Sequence, residues 1–134
     1  MKQTSIDSQE EPMYDIVNLC ESDTGIKGTI RCSTKMAQYG CGIKFFPNLK
    51  IKSESLSVSI PDGGIVEDTT NVDNLTKKMV VYFAKKNAEI FLKLWNDGTS
   101  MYQEELQEEI WDKIKPIEPC DLQQIKQITI INGN

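Results

Sequence analysis

The sequence predicts an α+β domain, in which an antiparallel sheet of about four strands precedes a two-helix hairpin and a C-terminal strand. Short segments of alternating apolar and polar residues fill the first half of the chain, and two longer segments with helical periodicity follow. The length of 134 residues suits one domain. We expect this domain over residues 13–134, behind a mobile acidic tail at residues 1–12.

The first two predicted strands cover residues 14–19 and 26–32, with a turn over residues 22–25. Along the second strand, small or apolar residues alternate with Lys27 and Arg31. Such alternation is typical of an antiparallel sheet that buries one face and turns the other towards water.

The remaining strands of the sheet follow in the next forty or so residues. A third strand starts near residue 41 and ends before Pro47, and a fourth lies within residues 49–60. The Pro-Asp-Gly-Gly sequence at 61–64 predicts a hairpin turn, because glycine adopts the positive φ angles of tight turns. A short return strand is expected at 65–66.

Residues 72–96 are predicted to form one long helix. Its charged side chains occupy roughly a third of the helix circumference, and the rest is apolar, so we expect other elements to cover it from more than one side. Phe83, Phe91 and Trp95 belong to this apolar sector and are expected to be buried. Any of residues 69–71 is a suitable N-cap.

A second helix is predicted over residues 101–114 and a final strand within residues 122–131. Terminal strands often lie at a sheet edge, where unpaired backbone groups favour pairing with another chain. The long helix also has more apolar surface than a small sheet and one short helix cover. Both features predict a homodimer with an interface at Ile128 and Ile130.

The net charge of −5 is unevenly distributed along the chain. Residues 24–53 contain six basic residues and no acidic one. The candidate binding residues are the basic residues of this segment that alternation places on the outer face or in the following loop: Lys27, Arg31, Lys44, Lys50 and Lys52. A solvated sheet face is the simpler interpretation of the same pattern, and a binding site for nucleic acid is the alternative.

The chain contains no histidine, which excludes Ser-His-Asp and Cys-His catalytic arrangements within it. Its four cysteines lack the close pair that is typical of zinc sites, and no phosphate-binding or dinucleotide-binding glycine motif is present. We therefore expect no enzymatic activity, no cofactor and no metal. The remaining alternative is a thiol-dependent enzyme or sensor at Cys41, which lies between two glycines.

The order of four sequence features gives residues 38–98 a resemblance to a short uncharacterised bacterial family. These features are QYGCGIKFF, LSVSIPDGGIVED, a long helix containing NAEIFLKLW, and then KIKPIEP. The family carries an Asn-Pro-Pro-His-Phe-His stretch and is associated with toxin–antitoxin operons. This stretch is missing here, where FFPNLKIK takes its place. The resemblance implies a sheet followed by helices, and excludes whatever role the histidines have.

These observations predict a small cytosolic, non-enzymatic protein that acts by binding an unidentified protein partner, as an accessory or regulatory factor of a bacterium or phage. Oppositely charged segments would orient such a partner. No apolar run approaches the ~20 residues of a membrane span, so we expect no membrane contact. Nucleic-acid binding through the basic 24–53 region and thiol chemistry at Cys41 are the two alternatives.

Overall fold

A computed structural model of the chain describes residues 16–33, 41–51, 53–97, 108 and 112–131. It confirms the α+β class, and the sheet has five strands. The strands are paired in chain order as an antiparallel meander. Their bounds are β1 Ile16–Leu19, β2 Thr29–Ser33, β3 Gly42–Phe46, β4 Leu56–Ser59 and β5 Ile65–Asp68.

One face of this sheet forms the core with the helices that follow it. The inward side chains of all five strands join one apolar cluster with residues of helices α2 (Asn74–Lys86) and α3 (Ala88–Asp97). Phe45 of the central strand and Phe83 of α2 are both fully buried in it. The other face of the sheet therefore carries the polar half of each alternating pattern.

The predicted single helix over residues 72–96 is interrupted at Asn87, which separates α2 from α3. The buried Asn87 side chain donates a hydrogen bond to the Phe83 carbonyl, and the Asn87 backbone carbonyl accepts from the N–H groups of Ile90 and Phe91. Asn87 thus ends one helix and begins the next. Phe91 is buried as expected, whereas Trp95 is only half-buried.

The predicted N-cap at residues 69–71 is wrong, because α2 begins later. Asp73 is the N-cap, and its carboxylate accepts a hydrogen bond from the Thr76 backbone N–H at 2.9 Å. Thr69 and Thr70 instead bond back to the end of the sheet, Thr69 to Ser55 and Thr70 to the Asp68 carboxylate. Asparagine and aspartate are about equally good N-caps, so local preference alone does not choose Asp73 over Asn71.

The N-terminal half differs from the prediction at two connections. The predicted turn over 22–25 is a short helix, α1 (Glu21–Thr24), which Gly25 caps with a φ of 78°. The predicted fourth strand over 49–60 is regular only in β4, because the chain before it makes turns: the Lys50 N–H donates to the Asn48 side chain, and the Ile51 N–H donates to the Asn48 backbone carbonyl. The hairpin turn at 61–64 is confirmed, with Gly63 at a φ of 78°.

The predicted C-terminal strand over residues 122–131 is wrong. A 3-10 turn at Pro119–Asp121 leads into a short helix, α4 (Leu122–Lys126). Pro119 starts the turn, and the Asp121 carboxylate accepts a hydrogen bond from the Glu118 N–H. Helical turns start in this way because proline has no N–H to leave unpaired. Residues 128–131 belong to no helix or strand, and the Ile131 carbonyl accepts a hydrogen bond from the Ile65 N–H at the β5 edge.

Two predicted elements lie largely outside the described residues. The acidic tail at 1–12 lies wholly outside them, as does most of the second helix at 101–114, although residues 108, 112 and 113 are helical. Within the described ranges, no helix combines the length and apolar character needed to cross a membrane.

Candidate functional site

A single row of polar side chains crosses the outer face of the sheet from edge to edge. The strand register places one residue from each strand opposite the next, in the order Asn18, Arg31, Lys44, Ser57 and Glu67. The two central cations, Arg31 and Lys44, are therefore direct cross-strand neighbours. Neighbouring strands lie about 4.8 Å apart, so Glu67 is about 10 Å from Lys44 along this row.

Arg31 is held in place by neutral groups. Its Nε donates a hydrogen bond to Asn18 Oδ1 at 3.1 Å, and its guanidinium carbon lies 5.2 Å from the centre of the Phe46 ring. A cation over an aromatic face is attracted by the ring quadrupole. These contacts orient the guanidinium without neutralising it, and its terminal amino groups have no partner among the described residues.

Lys44 has neither a hydrogen bond nor an ion pair within the described part of the chain. Like charges directly opposite each other on a sheet are destabilising. Arg31 and Lys44 therefore form a pair of cations, defined here as the cation pair, that works against folding and leaves its charge available to a ligand.

The other predicted basic residues surround this pair unequally. Lys27 lies exposed just before β2, and Lys50 lies exposed in the β3–β4 connection. Because β2 starts and β3 ends at the same end of the sheet, these two lysines flank that end. Lys52 lies outside the described residues.

Phe46 is an aromatic residue on the outer face, and it is only 3% exposed. Nucleic-acid platforms on sheets use exposed aromatic rings on which bases stack. A ring covered in this way does not offer that contact, so the described part of this face favours ionic recognition over base stacking.

The structure disfavours thiol chemistry at Cys41. Its Sγ is half-buried and lies 3.8 Å from the Phe91 carbonyl, and desolvation raises the pKa of the thiol to about 11. Burial, reinforced by Cys41, raises the pKa of the neighbouring Cys32 to about 12. Both thiols are therefore protonated near neutral pH, and the thiolate is the reactive form.

A polar cluster that the sequence analysis missed joins α2 to the C-terminal segment. The Asp121 carboxylate accepts a hydrogen bond from Tyr82 at 2.9 Å and forms an ion pair with Lys86 at 2.8 Å. The Lys86 contact, followed by the Glu118 backbone N–H, lowers the pKa of Asp121 to about 2. Desolvation and then Asp121 raise the pKa of Tyr82. This cluster is satisfied internally and acts as a structural clamp.

The spacing of Tyr82 and Lys86, one helical turn apart, was the available signal for this clamp. Its partner Asp121 lies more than thirty residues away along the chain, and sequence spacing does not reveal such a pairing. The predicted interface residues Ile128 and Ile130 are half-buried against the core of the same chain. The homodimer predicted from them stays a prediction.

Comparison with protein-family models, curated proteins and solved structures found no significant match to this chain. The resemblance of residues 38–98 to the bacterial family accordingly stays a prediction.

Proposed function

We propose that this protein acts by binding, not by catalysis, and that the cation pair on the outer sheet face contacts carboxylates of an acidic protein partner. The observation that carries the proposal is the direct opposition of Arg31 and Lys44 without a neutralising carboxylate among the described residues. An arrangement that costs stability is expected mainly where it serves a function.

The contacts of Arg31 support a carboxylate as the ligand. A guanidinium binds carboxylates through two parallel N–H donors, and its terminal amino groups remain available when Nε is bonded to Asn18. Because Asn18 and Phe46 already restrict the side chain, less conformational entropy is lost on binding. Lys44 adds a second positive charge on the adjacent strand.

Amide chemical-shift mapping of the full chain tests this proposal. The probe is a glutamate-rich decapeptide, titrated at low and high salt, with a single-stranded oligonucleotide as the comparison ligand. We expect shifts centred on Thr29–Ser33 and Gly42–Phe46 that weaken as salt rises. Lys44→Ala is the test variant and should bind the decapeptide more weakly. Lys85→Ala is the matched control, since Lys85 is exposed on α2 in the helical layer.

Two results would overturn the proposal. Shifts confined to the helical layer, or the same loss of binding in Lys85→Ala as in Lys44→Ala, would remove the cation pair from the binding surface. Tighter binding of the oligonucleotide at the same strands would replace the acidic protein with nucleic acid.

A further inference from the structure

An open cleft lies beside β5, the edge strand farthest from β1 in the sheet. It has a volume of about 440 Å³ and is bounded by the β5 edge, the first turns of α2 and residues 128–130. A volume in this range accommodates a small ligand or a short peptide segment. None of the basic residues of the outer face lines it.

The floor of the cleft is the edge of β5, where one backbone N–H already has a partner. Ile65 donates its N–H to the Ile131 carbonyl at 2.8 Å. Thr69 directs its N–H towards Ser55, on the β4 side, at 2.9 Å. Because backbone groups alternate in direction along a strand, the N–H and carbonyl of the preceding Asp68 face the cleft. Asp68 therefore offers an edge N–H and carbonyl of the kind that bind an added strand.

The walls of the cleft combine apolar surface with a cation. Ile65, Ile128 and Ile130 supply the apolar part. Lys77 forms an ion pair with the Asp68 carboxylate at 2.8 Å, whereas Lys78 donates to the neutral Lys126 carbonyl at 3.1 Å. The positive charge of Lys78 is thus hydrogen-bonded to a neutral carbonyl and is not neutralised by a carboxylate.

We infer that this cleft binds an extended peptide of a partner protein, in which apolar residues alternate with acidic ones. The exposed backbone of Asp68 supplies the main-chain contact, the isoleucines receive one set of side chains, and Lys78 attracts the acidic set. Strand alternation separates the two sets onto opposite sides of the peptide.

The flanking elements favour a single peptide over a second copy of this chain. A second copy's sheet edge pairs through several backbone groups in a row, but Ile131 already occupies the Ile65 N–H, which leaves the backbone groups of Asp68 for pairing. One extended peptide requires only the width of one strand, about 4.8 Å.

The test uses the full chain and an eight-residue peptide that alternates valine with glutamate. A second peptide has the same sequence but carries N-methyl groups on alternate residues, which abolish strand pairing and preserve composition and charge. We expect the unmodified peptide to shift amides of Ile65–Asp68 and residues 74–78 and 128–131, and the N-methylated peptide to bind at least tenfold more weakly.

A matched pair of variants locates the binding. Thr129→Trp fills the cleft from an exposed position, and Gln123→Trp places the same side chain on the exposed surface of α4. We expect at least tenfold weaker peptide binding in Thr129→Trp and less than a twofold change in Gln123→Trp.

The outcomes separate this inference from the proposed function. Equal binding of the N-methylated peptide, or full affinity in Thr129→Trp, would overturn the inference that the peptide binds in the cleft. Shifts confined to the strands that carry Arg31 and Lys44 would overturn it while supporting the outer face. Dimerisation that protects the cleft amides, detected by light scattering, would make a second copy the occupant and would also overturn it.

Discussion

Asn87 and Lys115 exchange two hydrogen bonds across the junction of the helical layer and the C-terminal segment. The Asn87 side-chain amide donates to the Lys115 carbonyl at 2.9 Å, and the Lys115 N–H donates to Asn87 Oδ1 at 2.7 Å. Asn87 is 1% exposed, so these two bonds satisfy its buried amide. They also pair the N–H and carbonyl of Lys115, much as a neighbouring strand would. The residue that divides the long helix therefore also attaches the end of the chain.

Asn87→Ala should destabilise the protein by about 2–3 kcal/mol, because it leaves buried donors and acceptors unsatisfied. Urea unfolding of the variant and the parent protein measures this difference. Asn96→Ala, at an exposed position on α3, is the control and should change the free energy of unfolding little. A loss below about 0.5 kcal/mol in Asn87→Ala would show that water replaces the two bonds to Lys115.

The clamp at Asp121 predicts an acid-sensitive part of the stability. The pKa of Asp121 is lowered from its usual 3.8 to about 2 by Lys86 and by the Glu118 N–H. The ionised carboxylate thus stabilises the fold fully above about pH 4, and this contribution is lost as pH falls towards 2.

Unfolding experiments at several pH values measure this loss. Below about pH 4, the free energy of unfolding should fall less steeply with pH for Asp121→Asn than for the parent protein; this part of the curve is its acid limb. Asp112→Asn, which removes an exposed carboxylate, should leave the limb unchanged. Identical limbs for the parent protein and Asp121→Asn would contradict the ion pair with Lys86.

The cysteines should differ in their rates of alkylation at neutral pH. Cys20 and Cys120 are exposed, whereas Cys41 is half-buried with a pKa raised to about 11 by desolvation. We expect iodoacetamide to modify the two exposed cysteines first, as followed by mass spectrometry of peptides. Faster modification of Cys41 than of Cys20 would support the thiol alternative.

The sheet was largely predictable because alternation of apolar and polar residues determines which face of a strand is buried. This pattern placed Ile30 and Cys32 inwards and Arg31 outwards, as the structure confirms. The alternation does not give the strand register. Only the register shows that Arg31 and Lys44 face each other directly.

The elements that were predicted wrongly depend on contacts between distant residues. Asn87 is compatible with a helix interior, and its role as a break depends on Lys115, which lies 28 residues away. The isoleucines near the C-terminus resemble a strand, but Ile125 and Ile128 are also one helical turn apart. Asp121, held by Tyr82 and Lys86, stabilises the helical alternative.

The cation pair predicts a repulsive coupling energy between Arg31 and Lys44. In a double-mutant cycle of Arg31→Thr and Lys44→Thr, unfolding free energies should give a repulsion of about 0.5 kcal/mol. Because the pair is solvent-accessible, the coupling should shrink at about 1 M salt. A cycle of Arg31→Thr with the distant Lys85→Thr should show no coupling. An attractive Arg31–Lys44 coupling would mean that an anion already lies between the two side chains.

The affinity of the glutamate-rich decapeptide for Lys44→Glu tests the proposed function most directly. This substitution places a carboxylate opposite Arg31, so it should neutralise the cation pair without lowering the free energy of unfolding. We predict at least a tenfold loss of affinity, equivalent to about 1.4 kcal/mol, and less than a twofold loss for Lys85→Glu. Unchanged affinity in Lys44→Glu, or an equal loss in both variants, would contradict binding at the outer sheet face.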